Sequence, residues 1–197
     1  MIHNMEAMEE KKSNMTAEQK LNKESCYSFL TEVMGLNQAA ACGCLSNFYH
    51  ESKYQSDILQ YESQIVLGLT AEAYTEAVDN GSYKNFVNDS SGYGLCQWTL
   101  SLRKESLFKY AKEKGQSIGN LKMQLEFFAK EIRECESVWK TLRECENSAD
   151  GAYQVAYDVC YFYEEPLAKE TASVIRGNYA GNLFNEYVRP KEAVTNK

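Results

Sequence analysis

The chain has 197 residues and a mass of 22.5 kDa, which suits one domain with a sizeable core, and its 44% hydrophobic and 12% aromatic content excludes a disordered protein. Its net charge of -7 and sequence pI of about 5.0 argue against nucleic acid as a partner, because phosphate binding needs clustered Lys and Arg. No run approaches the roughly 18–20 apolar residues of a membrane span.

The cysteines indicate reduced thiols rather than a disulfide framework. They number 7, which is odd, and they are scattered through segments with a helical pattern. The amino-terminal segment also lacks the apolar stretch of a secretory signal. We therefore expect a protein made in a cytoplasm without a signal peptide.

The residue pattern predicts a mainly α fold, formally α+β, with one domain. Few prolines and many Ala, Glu, Lys and Leu residues favour helix. Residues 1–18 are charged and without period, which predicts a mobile tail. Residues 19–190 are predicted to form the helical domain, with a small irregular or β region lining a cleft.

The first two predicted helices lead directly to a polar segment. One spans about 17–34 and ends at Gly35, and the next spans about 38–50 after the cap residue Asn37. The second helix is apolar on several sides, which indicates an interior position. It ends at His50, Glu51 and Ser52.

The middle of the chain combines helices with an irregular segment. A short helix is predicted from Thr70 to about residue 80. Residues 82–98 place glycines among aromatic residues, which predicts loop or short strand. Thr99 is predicted to cap a helix that ends at Gly115.

The carboxyl-terminal half is predicted to be helical. Apolar residues at helical spacing predict a helix over about 119–134, and short elements follow near 138–143. A long helix over about 149–163 is expected to end before Pro166. A last helix is predicted over about 167–176.

Glu51 is the first candidate for chemistry. A glycosidase needs a carboxylic acid that can still donate a proton near neutral pH, and apolar surroundings favour this by penalising the charged form. The negative end of a helix dipole acts in the same direction. Position alone favours the alternative of a solvated residue at a helix end.

Residues 91–99, with the sequence Ser-Gly-Tyr-Gly-Leu-Cys-Gln-Trp-Thr, are the second candidate. The two glycines let backbone approach a ligand, and the rings of Tyr93 and Trp98 offer flat faces to a sugar. Gln97 can both donate to and accept from an N-acetyl or hydroxyl group. An aromatic turn before a helix is the structural alternative.

These segments occur in a specific order. Gly-x-x-Ser-Asn at 43–47 precedes Glu51-Ser52, and Gly-Tyr-Gly-Leu-Cys-Gln-Trp-Thr follows at 92–99. Together they resemble the phage tail-tip lysozyme family, which is related to goose-type lysozymes and lytic transglycosylases. The resemblance covers roughly residues 25 to 188 and ends with Tyr-Glu-Glu-Pro at 163–166.

The resemblance implies a helical lysozyme-like fold in which Glu51 is the general acid. It implies substrate binding by Ser52, Tyr93, Gln97 and Trp98, without a metal or organic cofactor. The implied activity is cleavage of the β-1,4 bond between N-acetylmuramic acid and N-acetylglucosamine in bacterial peptidoglycan.

The implied setting is a bacteriophage. Other partners would be components of a phage tail, or of a secretion or conjugation apparatus. The protein would be made in the bacterial cytoplasm and act on the wall as part of a particle or after lysis. Delivery by a particle would explain why an acidic surface is tolerated, since peptidoglycan is itself anionic.

The second catalytic carboxylate is not fixed by the motifs. Asp89 is favoured because it adjoins the glycine segment, although Asp is also ordinary in turns. If there is no base, the N-acetyl or 6-hydroxyl group of the sugar would attack, and the enzyme would be a lytic transglycosylase. The other candidates are Asp57, Glu62, Glu72 and Asp79.

Two functions of other classes stay open. One is a tail protein that binds peptidoglycan without cutting it. The other is a Cys-dependent amidase or peptidase, which would require a His beside a thiolate, such as His50 beside Cys96. Zinc is disfavoured because the cysteines and histidines lack the usual ligand spacing.

Overall fold

A computed structural model describes residues 15–188, and its regular structure in that range is almost entirely helical. The mainly α prediction is therefore confirmed. The predicted tail lies almost wholly outside the described residues, and the domain limits at 19 and 190 stay predictions. The first helix begins at Ala17 after a capping box formed by Thr16 and Gln19.

Nine α-helices are found in the described range, and two of them are extended by π-helical turns, Phe29–Val33 after the first helix and Cys160–Glu164 after the eighth. The helices are α1 (Ala17–Ser28), α2 (Gln38–Ser52), α3 (Tyr61–Leu67), α4 (Ala71–Asp79), α5 (Ser101–Lys114), α6 (Leu121–Glu134), α7 (Glu136–Glu144), α8 (Ala149–Val159) and α9 (Lys169–Val188).

Helix α2 forms the centre of the molecule and packs against α8 and α9. The side chain of Asn37 caps its first turn by accepting from the Ala40 N–H, as predicted. A Cβ atom at Gly43 would lie 2.3 Å from Cγ1 of Val155, so this glycine lets α2 and α8 approach closely. The interior position predicted for α2 is confirmed.

The middle region contains isolated bridges instead of a sheet. Within residues 15–188, Tyr93 bridges to Leu59 and to Trp98, and no longer strand pairing is formed there. The predicted β region lining a cleft is therefore not confirmed. Helix α3 lies nearby and was not predicted. None of its residues is fully buried and Leu67 alone among its apolar residues packs partly against the core, so no apolar stripe reveals a helical period.

Two predicted helix limits are wrong. Thr99 does not cap α5, because its hydroxyl donates to the carbonyl of Gln97 and the helix begins at Ser101. The last helix does not end near Arg176 but continues to Val188. Gly177 serves close packing there, since a Cβ atom would lie 2.6 Å from the ring of Tyr153.

All seven cysteines are free, which confirms the reduced-thiol prediction. Five of them are buried within the described range, and burial raises the pKa of each; that of Cys42 reaches about 12. Nowhere between residues 15 and 188 is a helix both long enough and apolar enough to cross a membrane.

Candidate active site

Glu51 lies in the last turn of α2, and its carboxylate is paired with Arg176 of α9. Nη2 of Arg176 lies 2.6 Å from Oε1 of Glu51, and the two side chains are 8% and 17% exposed. Most of the Glu51 side chain is therefore shielded from solvent. The surroundings are not simply apolar as predicted, because the Arg176 guanidinium group lies against the carboxylate.

The Gly-x-x-Ser-Asn motif of α2 fixes the position of Arg176. Nη1 of Arg176 donates to Oδ1 of Asn47 at 2.9 Å, and the hydroxyl of Ser46 donates to the Arg176 carbonyl at 2.7 Å. The Asn47 amide in turn donates to the carbonyls of Gly43 and Ala156, both at 3.1 Å. The side chains of the motif therefore hold the partner of Glu51.

Glu164 is a member of the site that the motifs did not single out. It is the last residue of the π-helical turn Cys160–Glu164, and its Oε1 is buried without a hydrogen-bond partner among the described residues. Burial, then the negative charge of Glu51, raises its pKa to about 8, although Arg103 and Arg176 act in the opposite direction. The carboxyl group is therefore protonated at neutral pH.

A second arginine–carboxylate pair adjoins Glu164. Arg103 of α5 donates from Nε and Nη2 to Glu131 of α6, at 3.1 and 3.0 Å. Glu131 also accepts from the indole of Trp98 at 2.7 Å and from the hydroxyl of Tyr163 at 2.8 Å. The Glu131 carboxylate thus accepts several hydrogen bonds, whereas Oε1 of Glu164 accepts none from the described residues.

Asp89, the favoured second carboxylate, lies in a different cluster. Its side chain is 2% exposed and its Oδ1 lies 2.5 Å from Nζ of Lys104, which is itself fully buried. It also accepts from the hydroxyls of Tyr74 and Tyr83 and from the N–H of Ser91. A general base must reach the water that it activates, so this placement argues against the predicted role.

The two aromatic side chains predicted to bind sugar belong to the core. The rings of Tyr93 and Trp98 are both 0% exposed. The Tyr93 hydroxyl is hydrogen-bonded to Thr75 at 2.6 Å, and the Trp98 indole N–H donates to Glu131. Neither ring offers a free face to a ligand, which corrects the prediction made for them.

Ser52 and Gln97 connect the two segments that the sequence singled out. The buried hydroxyl of Ser52 donates to the carbonyls of Phe48 and Leu95, each at 3.0 Å, which joins the end of α2 to the glycine segment. Gln97 is partly exposed, and its amide donates to the Gly94 carbonyl at 3.0 Å. Of the predicted substrate-binding residues, Gln97 is thus the accessible one, and its role stays a prediction.

The Cys-dependent alternative finds little support in this geometry. Cys96 is buried, and burial raises the pKa of its thiol well above the usual value, so it is not a ready nucleophile. The ring of His50 is hydrogen-bonded through Nδ1 to the Ser46 carbonyl at 2.8 Å. Between residues 15 and 188, no group of three His, Cys, Asp or Glu side chains is arranged to hold a metal ion.

Fold and site together define a helical domain in which a central helix carries a partly buried glutamate into a cluster of charged side chains. The chain belongs to the phage tail lysozyme family, which it matches over residues 21–187. The match includes every member of the charged cluster and confirms the resemblance seen in the sequence. No curated protein matches the chain significantly. Membership implies lysozyme-like hydrolysis of peptidoglycan.

Proposed function

We propose that the protein cleaves the β-1,4 bond between N-acetylmuramic acid and N-acetylglucosamine in peptidoglycan, with Glu51 as the catalytic acid. The supporting observation is the placement of Glu51, which stands 17% exposed at the end of an interior helix and is oriented by Arg176. Such a carboxyl group is held in place yet can be reached by a ligand.

Proton donation results from a change in the surroundings of Glu51 on binding. A sugar ring packed against the carboxylate excludes water and so disfavours its charged form. Glu51 then protonates the leaving glycosidic oxygen while positive charge builds on the sugar ring. Gln97, the partly exposed member of the glycine segment, is our candidate for holding the strand.

A lytic transglycosylase is the second candidate, and the position of Asp89 favours it. The carboxylate of Asp89 is 2% exposed and lies 2.5 Å from Nζ of Lys104, so it is poorly placed to activate a water. The 6-hydroxyl group of the sugar would then attack the ring, and the product would carry a 1,6-anhydro end. Both reactions use Glu51 in the same role.

We also propose that the protein meets the wall as part of a phage particle or after lysis. Its net charge of -7 gives no electrostatic attraction to an anionic wall, so delivery by other components is needed. Tail proteins are the proposed partners, and parts of a secretion or conjugation apparatus are the alternative.

Mass spectrometry of digested peptidoglycan tests the catalytic proposal. Purified walls are treated with the wild type, with Glu51→Gln and with Glu134→Gln, which changes an exposed glutamate in the last turn of α6. We expect glycan fragments from the wild type and the control and a loss of about 10²-fold or more in Glu51→Gln, the usual contribution of a general acid. Free reducing ends would identify a hydrolase, and 1,6-anhydro ends a transglycosylase.

Failure of the wild type to release fragments from walls of several chemotypes would overturn the catalytic proposal. Sedimentation with insoluble peptidoglycan would then be measured on the same samples. Binding without cleavage would identify the protein as a peptidoglycan-binding tail component that keeps the family fold.

A further inference from the structure

Three polar side chains converge on Gly92 in the glycine segment. A Cβ atom on this glycine would lie 2.8 Å from Oε1 of Gln97, 3.3 Å from Oγ1 of Thr99 and 3.5 Å from Oε1 of Gln60. These oxygens approach one point so closely because Gly92 has no side chain. Gln60 and Thr99 are exposed and Gln97 is partly exposed, so a ligand can reach all three from solvent.

Two hydrogen bonds fix Gln60 beside Gly92. The backbone N–H of Gln60 donates to the Gly92 carbonyl at 2.9 Å, and the Gly92 N–H donates to Oε1 of Gln60 at 3.2 Å. Within residues 15–188, the second of these is the hydrogen bond that the Gln60 side chain forms. Its oxygen is therefore used by the fold, whereas its amide N–H₂ group is left to donate to a ligand.

Gln97 is held in an unusual backbone conformation. Its φ of 46° lies in the left-handed region, which costs energy for a residue other than glycine and is concentrated at functional sites. Its backbone N–H and its side-chain Nε2 both donate to the Gly94 carbonyl, at 3.1 and 3.0 Å. With Nε2 used in this way, Oε1 of Gln97 lies beside Gly92 as an acceptor.

Thr99 supplies a second acceptor. Its hydroxyl donates to the Gln97 carbonyl at 2.8 Å, so Oγ1 can only accept from a ligand. The group therefore presents the acceptors Oε1 of Gln97 and Oγ1 of Thr99 and the donor Nε2 of Gln60. None of these side chains is charged, which suits a neutral ligand that both donates and accepts.

We infer that Gln60, Gln97 and Thr99 bind the N-acetyl group of an amino sugar, with Gln60 as the specificity-determining residue. An acetamido group carries an N–H and a carbonyl oxygen on the same carbon. The N–H donates to Oε1 of Gln97, and the carbonyl oxygen accepts from Nε2 of Gln60. That the sugar belongs to peptidoglycan rests on the proposed function, in which both sugars of the strand are N-acetylated.

Exposed apolar side chains stand next to these residues in the chain. Tyr61, which follows Gln60, is 71% exposed, and Leu100, which follows Thr99, is 67% exposed. Sugar sites combine a few placed polar groups with such apolar surface. Tyr61 can therefore offer a ring face to a sugar, which the buried Tyr93 and Trp98 cannot do.

The same segment is joined to the end of α2. The hydroxyl of Ser52, the residue after Glu51, donates to the carbonyl of Leu95, which stands two residues before Gln97. A sugar held at Gly92 is thus held on the segment that is bonded to the neighbour of Glu51. The N-acetyl site would in this way fix which part of a glycan strand lies along that segment.

The affinity for two short oligosaccharides tests the inference. The full-length protein carries Glu51→Gln, so that a bound ligand is not consumed. The probes are the β-1,4-linked tetramer of N-acetylglucosamine and that of glucose, which has a hydroxyl in place of each acetamido group. By isothermal titration calorimetry we expect the N-acetylglucosamine tetramer to bind about 10-fold more tightly, as one or two hydrogen bonds would allow.

Gln60→Glu in the same background isolates the donor. The carboxylate keeps an oxygen for the Gly92 N–H but has no N–H to donate, so we expect the 10-fold preference to be lost. Gln116→Glu makes the same change at an exposed glutamine after α5 and should leave both affinities unchanged. In Gly92→Ala the added Cβ displaces Oε1 of Gln97, and the preference should be lost as well.

The binding and cleavage experiments separate this inference from the proposed function. Equal affinity for the two tetramers, binding of neither, or a preference that survives in Gln60→Glu would overturn the inference even if the protein cleaves glycan. A preference that Gln60→Glu abolishes, in a protein that releases nothing from walls, would support the N-acetyl site and reject the proposed cleavage.

Discussion

Two clusters of buried charge in this protein differ in how completely their carboxyl groups are supplied with donors. In the first, the Asp89 carboxylate is paired with Nζ of Lys104 at 2.5 Å and accepts hydrogen bonds from two tyrosine hydroxyls and a backbone N–H. In the second, the Glu51 carboxylate forms an ion pair with Arg176. Oε1 of Glu164 accepts no hydrogen bond from residues 15–188.

The difference separates a structural role from a functional one. A carboxylate whose oxygens already accept several hydrogen bonds gains no further bond from a ligand and would lose bonds by moving. The Asp89 cluster therefore stabilises the fold. An incompletely supplied carboxyl group takes up a proton and can exchange it, which is what acid catalysis requires. Burial of charge is common to both clusters and does not by itself mark the site.

The largest expected effect comes from breaking the complete cluster. Lys104→Met leaves Asp89 buried without its cation, and the loss of one partner of a buried pair costs about 3–5 kcal/mol. We expect a fall of this size in the free energy of unfolding, measured by urea denaturation. The control Lys109→Met removes a lysine that is 65% exposed and should change stability by less than about 1 kcal/mol. Equal effects of the two variants would show that the cluster is not a stability element.

The incomplete cluster should reveal itself through pH. Glu164 binds its proton more tightly in the folded protein, with a pKa of about 8, than in the unfolded chain, where its ordinary value is 4.5. Between these values the folded state holds the extra proton, so stability is greatest below pH 4.5 and is lost as pH rises towards 8. The slope from this one group approaches about 1.4 kcal/mol per pH unit. Denaturation at several pH values should show a flatter dependence for Glu164→Gln, and an unchanged slope would contradict the assignment.

The smallest of these effects concerns the shape of the cation beside Glu51. Arg176→Lys keeps the charge but cannot bridge Glu51 and Asn47 in the same way, because an ammonium group lacks the planar fork of the guanidinium. We expect a stability loss of about 1–3 kcal/mol, the usual range for a hydrogen bond to a charged group, together with slower glycan cleavage. The exposed Arg143→Lys is the matched control. Full activity in Arg176→Lys would mean that charge alone, without the bridge, orients Glu51.

Local signals predicted most of the helices correctly. Asn37 and Thr70 cap their helices through side-chain bonds, as their residue types predict. Helix α3 could not be predicted in this way because none of its residues is fully buried, and α9 continues to Val188 through Gly177, where the glycine packs against Tyr153. Helix limits that depend on tertiary contacts cannot be predicted from a local sequence pattern.

Half of the candidate site was accessible from sequence. Glu51 and its closeness to the glycine segment are indicated by motifs, and the Ser52–Leu95 bond confirms that closeness. Arg176, the charged partner of Glu51, comes from α9, and no local pattern joins that helix to the end of α2. The Tyr-Glu-Glu-Pro motif did contain Glu164, but its role depends on partners distant in sequence.

Aromatic residues gave the misleading signal. Tyr93 and Trp98 beside glycines fit a sugar site by residue type, yet both rings fill the core. Large flat side chains serve both purposes, and only their exposure distinguishes the two. A polar group that fails to find a partner is the more specific signal, and it is visible only in three dimensions.

Because of the π-helical turn Cys160–Glu164, the site depends on the number of residues in this segment. Such a turn holds one residue more than the α-helical path would need. Deleting one of the residues of this turn before Glu164 would restore the α-helical register and rotate Glu164 by about 100° around the axis. The glutamate would still be present in the sequence, but its carboxyl group would face another direction. In this segment, the number of residues matters to the site as much as their identity.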